Sequence, residues 1–179
     1  SFTPQQGATF VRNDADWGDK ANPDTIEVRF YAEEAPMIVA IQGDEVDFLE
    51  HFSVAGGAAL LDNPDVQVIG ISTATHRQLH MRTDKEPFTD NRVRQAIALA
   101  IDRNALVDGL WEGRAEIGND SPFAPLYPST DPSVPQREQD IDQAKQLLAD
   151  AGAEGFTVQL DTWDGFEIPD LAQLVKNAA

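Results

Sequence analysis

The chain has 179 residues, 41% of them hydrophobic and 25% charged, which is the composition of a globular protein and not of a disordered segment. Lys and Arg number 13 against 31 Asp and Glu, a formal net charge of -18, so a phosphate backbone or an anionic membrane surface would be repelled. There is no cysteine, which excludes a disulfide scaffold, thiolate zinc sites, cysteine nucleophiles and iron–sulfur ligation. No apolar run approaches the roughly 20 residues that cross a bilayer. No basic-then-apolar leader opens the chain, and Ser1-Phe2-Thr3-Pro4 reads as a start in mid-protein or after processing.

In chain order, Ala8 to Arg12 reads as a first strand. Thr25 to Tyr31 is a clearer one, because Ile26, Val28 and Phe30 alternate with polar neighbours. A helix follows over Glu33 to Gln42, with Pro36 in its first turn and Gly43 expected to close it in the left-handed conformation. Glu45 to Phe48 reads as a short strand, and Ser53 as the N-cap of a small helix ending near Leu61. Val66 to Ile71 reads as a buried strand and Arg77 to Arg82 as another, with Leu79 and Met81 on one face.

Asn91 to Ile101 carries the strongest helix signal, with Asp90 as N-cap and Val93, Ala96, Ile97, Ala100 and Ile101 as one apolar stripe. Asp102 is placed to cap the next helix, from Arg103 to about Trp111. Gly118 to Pro135 is irregular and rich in proline. Asp140 and Gln143 form a capping-box pair for a helix ending at Gly152, with Ala144, Leu147, Leu148 and Ala151 inward. Phe156 to Trp163 reads as a strand, and Pro169 opens a last helix bearing Leu171, Leu174, Val175 and Ala178. Strands and helices alternate, which points to an α/β or α+β class, with a change of character near Arg82 to Pro87.

Several stretches carry a resemblance. They are Phe10-Val11-Arg12-Asn13-Asp14 with Trp17-Gly18, then Thr25 to Phe30, then Ala40-Ile41-Gln42-Gly43-Asp44-Glu45-Val46-Asp47. The most recognisable string is Pro87-Phe88-Thr89-Asp90-Asn91-Arg92-Val93-Arg94-Gln95-Ala96, running on through Ala100-Ile101-Asp102-Arg103. Gly113-Arg114-Ala115, Ser121-Pro122 and the segment from Asp140 to Gly152 follow in the expected order. Together they resemble the family 5 extracellular solute-binding proteins, the peptide, dipeptide, oligopeptide and nickel receptors of ABC importers. Two positions depart from that pattern: Asp16 stands where a tyrosine is usual, and Leu79 to Thr83 lacks a common asparagine.

The resemblance implies an α/β chain that is part of a two-lobed periplasmic-binding-protein fold of the class II type, with mixed sheets flanked by helices. Family members are much longer, so the chain corresponds to a middle portion. Residues 1–82 would be a returning part of the first lobe, and residues 83–179 the beginning of the second. The implied function is capture of a small solute, expected to be a peptide, and its delivery to ABC permease subunits in the membrane. The implied location is periplasmic or extracellular, compatible with a lipid anchor on a preceding N-terminus, and the implied full-length protein is a monomer. Neither a cofactor nor a nucleic-acid partner is expected. In such receptors the ligand lies between lobes, lined by loops and helix N-termini. Two segments fit: the irregular loop from Asn119 to Tyr127, with Ser121, Phe123 and Tyr127, and the strand-to-helix junction from Thr162 to Glu167, with Trp163, Asp164 and Phe166. Trp163 is suited to stack on a ligand side chain and Asp164 to meet an ammonium group. The plainer reading makes Phe123 and Trp163 core and Asp164 a turn former.

Other chemistry finds less footing. Arg92 and Arg94 resemble a phosphate site, but their helical setting favours structural pairing. His76 and His80 would share a strand face about 13 Å apart, too far for one metal ion. Asn13, Asp14, Asp16 and Asp19 echo a calcium loop without its Gly and closing Glu. No Gly-x-Ser-x-Gly turn, Walker loop or dinucleotide motif is present, so a hydrolase is the weakest reading. A standalone interaction module is the alternative to a receptor portion. A receptor portion should leave exposed the apolar surface that the rest of the protein covers.

Overall fold

The computed structural model describes residues 1–123 and 126–178. By density of internal contacts the chain forms two compact units, Ser1–Phe52 and Ser53–Ala179.

The first unit opens on three antiparallel strands in the order β1 (Phe2–Thr3), β2 (Gly7–Val11) and β3 (Thr25–Arg29). The register sets Ala8 opposite Val28 and Phe10 opposite Ile26. β2 and β3 match the expected strands to within a residue or two. β1 is new, because two residues carry no readable period. Arg12 closes the far end of the β2–β3 pair by bonding Asp24 at 2.6 Å and Asp14 at 3.2 Å. Helix α1 (Glu34–Gln42) follows, with Pro36 in its first turn and Ile38 and Ala40 buried. Gly43 ends it at φ -93°, and the left-handed residue is Asp44 instead. An Asp tolerates that conformation better than most residues with a Cβ.

The second unit is helical. α2 (Ala58–Leu61) is a single turn, preceded by the Ser53 hydroxyl accepting from the Gly56 N–H at 2.9 Å. α3 (Asn91–Ala100), α4 (Arg103–Trp111), α5 (Ile141–Ala151) and α6 (Ile168–Ala178) follow. Three expected caps are in place. Asp90 accepts from the Arg92 N–H at 2.8 Å, Asp102 from Ala105 at 2.9 Å, and Asp140 from Gln143 at 2.8 Å. Each satisfies a helix N–H that has no partner within the helix. Gly152 closes α5 at φ +65°, where a residue with a Cβ would be strained. α3 packs against α5 and α4 against α6. Ala96 and Leu99 meet Ala144, with Leu147 and Leu148 completing the seam. Of the stripe read from the sequence, Val93 and Ala96 are buried and Ile97 and Ala100 half-buried; Leu99, which that reading omitted, is the third buried residue of α3, and Ile101 stands beyond the helix as its C-cap.

Four expected strands are not formed. Residues 45–48, 66–71, 77–82 and 156–163 are irregular or unpaired. The physical reason is that a strand is one half of a hydrogen-bonded pair, and alternation supplies only the side-chain half of that requirement. Among the described residues no strand lies beside them. The stretch expected as a buried strand is therefore open, with Ile69 70% and Ile71 75% exposed. The expected apolar surface is thus present, and it also includes Phe48, Val158 and Leu160.

The acid side of stability has a local source at the start of α3. The Arg92 guanidinium and the Arg92 N–H both donate to the Asp90 carboxylate and hold its pKa down to about 2, against 3.8 without them. The folded value is depressed, so the contribution is complete above about pH 4 and is lost as pH falls through about 2. Asp90→Asn is expected to flatten the acid limb of melting temperature against pH between those values, read by a thermal-melt series. An unchanged limb would place the acid sensitivity elsewhere.

Candidate functional site

The loop from residue 118 to 139 is closed at its base by side chains rather than by regular structure. Asp120, in the left-handed region at φ +53°, accepts from Arg103 at 2.6 Å through one oxygen and from Arg137 through the other. Asn119 bonds the Pro135 carbonyl and receives the Arg137 N–H, both at 2.9 Å. The Arg103 side chain is 15% exposed and also donates to the Ala98 carbonyl at the end of α3. Asn119, Asp120, Arg103 and Arg137 thus set where the loop leaves the helices. The sequence reading missed this clamp. Its signal was the Asn-Asp pair entering a proline-rich loop, but the arginine partners lie 17 residues away on either side.

Within that loop Ser121 accepts from the Phe123 N–H at 3.1 Å. Phe123 and Tyr127 meet edge-on at 6.4 Å between ring centroids. Both residues are solvent-exposed within this chain, Phe123 52% and Tyr127 42%. Ala124 and Pro125, part of the expected loop, lie outside the described residues.

The second segment is a tight turn entering α6. Trp163 and Phe166 meet edge-on at 6.1 Å. Trp163 is 55% exposed within this chain. Its indole lies so close over Gly165 that a Cβ there would stand 2.2 Å from Cζ3. Phe166 takes φ +50°, a conformation that costs a residue with a Cβ roughly 1–2 kcal/mol. Asp164 is exposed and has no ion-pair partner among the described residues. Glu167 and Ile168, by contrast, are buried at 7% and 8%. The turn therefore presents an aromatic edge and a free carboxylate to solvent while its far end is anchored inside.

The two arginines of α3 are structural. Arg92 bonds the Asp90 carboxylate and, at 2.7 Å, the Asp150 carbonyl in the last turn of α5. Arg94 bonds the Phe88 carbonyl at 2.5 Å and Asn91 at 2.9 Å. Among the described residues no three His, Asp or Glu side chains converge as a metal site would require. An open cleft of about 530 Å³ lies between the turn before α3 and the turn after α5, lined by Glu86, Thr89, Val93, Glu154 and Phe156. It contains none of the six expected ligand residues.

The family model described as bacterial extracellular solute-binding proteins, family 5 Middle, matches residues 1–178. The chain belongs to the family 5 bacterial extracellular solute-binding proteins. Heme-binding protein A of Haemophilus influenzae is 25% identical over 163 residues, which is 90% of this chain and 29% of that protein. The dipeptide-binding protein of Escherichia coli is 24% identical, over 82% of this chain and 28% of that protein. The solved structure of MoaA from A. tumefaciens R10, in complex with mannopinic acid, superposes with a TM-score of 0.76 at 28% identity. That match covers 99% of this chain and 36% of MoaA. The chain thus spans roughly a third of the length of the relatives it matches. It is an α/β portion of the two-lobed fold that family 5 proteins share.

Proposed function

We propose that this family 5 chain is the middle portion of an extracytoplasmic substrate-binding protein of an ABC importer. It captures a small solute between two lobes and delivers it to the membrane permease. The role is binding, not catalysis. In this reading residues 1–82 are a returning part of the first lobe and residues 83–179 begin the second. The solute is a peptide, and Ser121, Phe123, Tyr127, Trp163, Asp164 and Phe166 line its side of the cleft.

The observation that carries the reading is the exposed Trp163 ring, edge-on to the half-buried Phe166 and next to the exposed Asp164, on a turn whose other end is buried. Large rings on strained turns are unfavourable in water unless something covers them. An aromatic edge with a carboxylate beside it matches an apolar side chain next to an ammonium group. The dipeptide-binding relative supports the same class. Uptake follows from closure: a solute that contacts both lobes binds the closed form better and shifts the population toward it.

The test uses the full-length protein in titration calorimetry against di-, tri- and oligopeptides, with mannopinic acid, heme and nickel alongside. Peptides are expected to give saturable heat with 1:1 stoichiometry. Binding of only one of the other three ligands would replace the peptide reading and keep the receptor.

A further inference from the structure

The aromatic turn is tied to a distant part of its unit by a part-buried ion pair, Glu167 inside and Arg77 31% exposed. Glu167, directly after Phe166 and just before α6, is 7% exposed. A carboxylate removed this far from water requires a partner that satisfies it. Its Oε1 accepts from Arg77 Nε at 2.7 Å, from 90 residues earlier in the chain. Arg77 lies in the unpaired extended stretch 75–82. Leu79 and Met81 in that stretch are half-buried, while Arg77 is exposed as a residue, like His76, Gln78 and His80, and reaches Glu167 with its guanidinium.

Glu167 is the buried member and Arg77 keeps contact with water, so the pair chiefly satisfies the Glu167 carboxylate. What a charge-assisted hydrogen bond adds is direction. It fixes the backbone at Glu167, one residue beyond the left-handed Phe166 and two beyond the glycine that Trp163 covers. A strained turn persists only where its surroundings over-determine it. We propose that the Arg77–Glu167 pair is a positioning device for the Trp163–Phe166 turn, holding both rings where a ligand meets them. The ligand part of this rests on the binding reading above, whereas the hold on the turn does not.

The experiment keeps the two apart. The full-length receptor is labelled with 5-fluorotryptophan, and the Trp163 and Trp111 fluorine resonances are assigned from W163F and W111F. Wild type is compared with E167Q, R77Q and the exchanged pair R77E/E167R. In each single variant the Trp163 resonance is expected to move and broaden while that of Trp111 stays. Affinity for the tightest peptide of the panel is expected to fall about tenfold, the exchanged pair recovering part of both effects. R77K, which keeps the charge and a donor, replaces any variant that fails to fold, with a smaller shift of the same resonance expected. An unmoved Trp163 resonance overturns the proposal, whatever the affinity does. Equal movement of Trp111 also overturns it, because that reports general loosening. If wild type binds no peptide the substrate class is wrong, and the Trp163 resonance still decides the hold on the turn.

Discussion

Leu99→Ala is expected to lower the stability of the helical unit by about 2–4 kcal/mol. Leu99 is 7% exposed and sits where α3 meets α5, among Ala96, Ala144, Leu147 and Leu148. Two of those neighbours are alanines, with no longer side chain to swing into the space. Removing the isopropyl end of the side chain therefore leaves most of its volume as a void, which is the condition for the upper part of the range. The seam is also short, α3 having 10 residues and α5 having 11, so one lost layer is a large share of it. Thermal and denaturant unfolding of the full-length protein measure the effect, with exposed Gln95→Ala on the same helix as control. Equal melting of the two variants would show that the α3–α5 seam is not where this unit's cohesion resides.

Trp163→Ala is expected to weaken solute binding tenfold or more, about 1.4 kcal/mol or above, with little change in melting temperature. The ring is more than half exposed, so the fold loses little packing when it goes. A bound solute that covers the ring loses much more. Gly165→Ala offers a second, geometric handle. The added methyl cannot coexist with the indole, whose nearest carbon would be 2.2 Å away, so the ring must swing aside while its chemistry is unchanged. A severalfold loss from Gly165→Ala would show that ring placement matters as well as ring presence. Wild-type affinity in Trp163→Ala would remove this turn from the site and leave the Phe123–Tyr127 loop to be tested by the same means.

The local parts of this protein were legible because their causes are local. Asp90, Asp102 and Asp140 each stand two or three residues before the N–H they satisfy, so cap and partner are read in one glance along the chain. Pro36 at the start of α1 and Gly152 at the end of α5 are single-residue constraints on backbone angles, and both lie where expected. The α5 stripe, and Val93 and Ala96 of the α3 stripe, follow from helical period alone. The ordered run of family motifs from Phe10 to Gly152 likewise lies in the sequence, and the family match over residues 1–178 agrees with it.

The rest depends on groups far apart in sequence. The stretches 66–71 and 156–163 carry strand-like alternation but no partner beside them, so the same pattern that builds β3 next to β2 builds nothing there. Whether Trp163 is core or surface could not follow from its identity, since a tryptophan suits both. It was decided by the turn that buries Glu167 and Ile168 and leaves the indole out. The Arg103–Asp120–Arg137 clamp and the Arg77–Glu167 pair join residues 17 and 90 positions apart, and no period or spacing encodes such a meeting. The sequence by itself determined the main helices, the three aspartate N-caps and the family, because those rest on neighbours within a turn or on motif order. Only the tertiary structure decided which aromatic rings are presented and what holds them, because burial and charge pairing are properties of the packed chain.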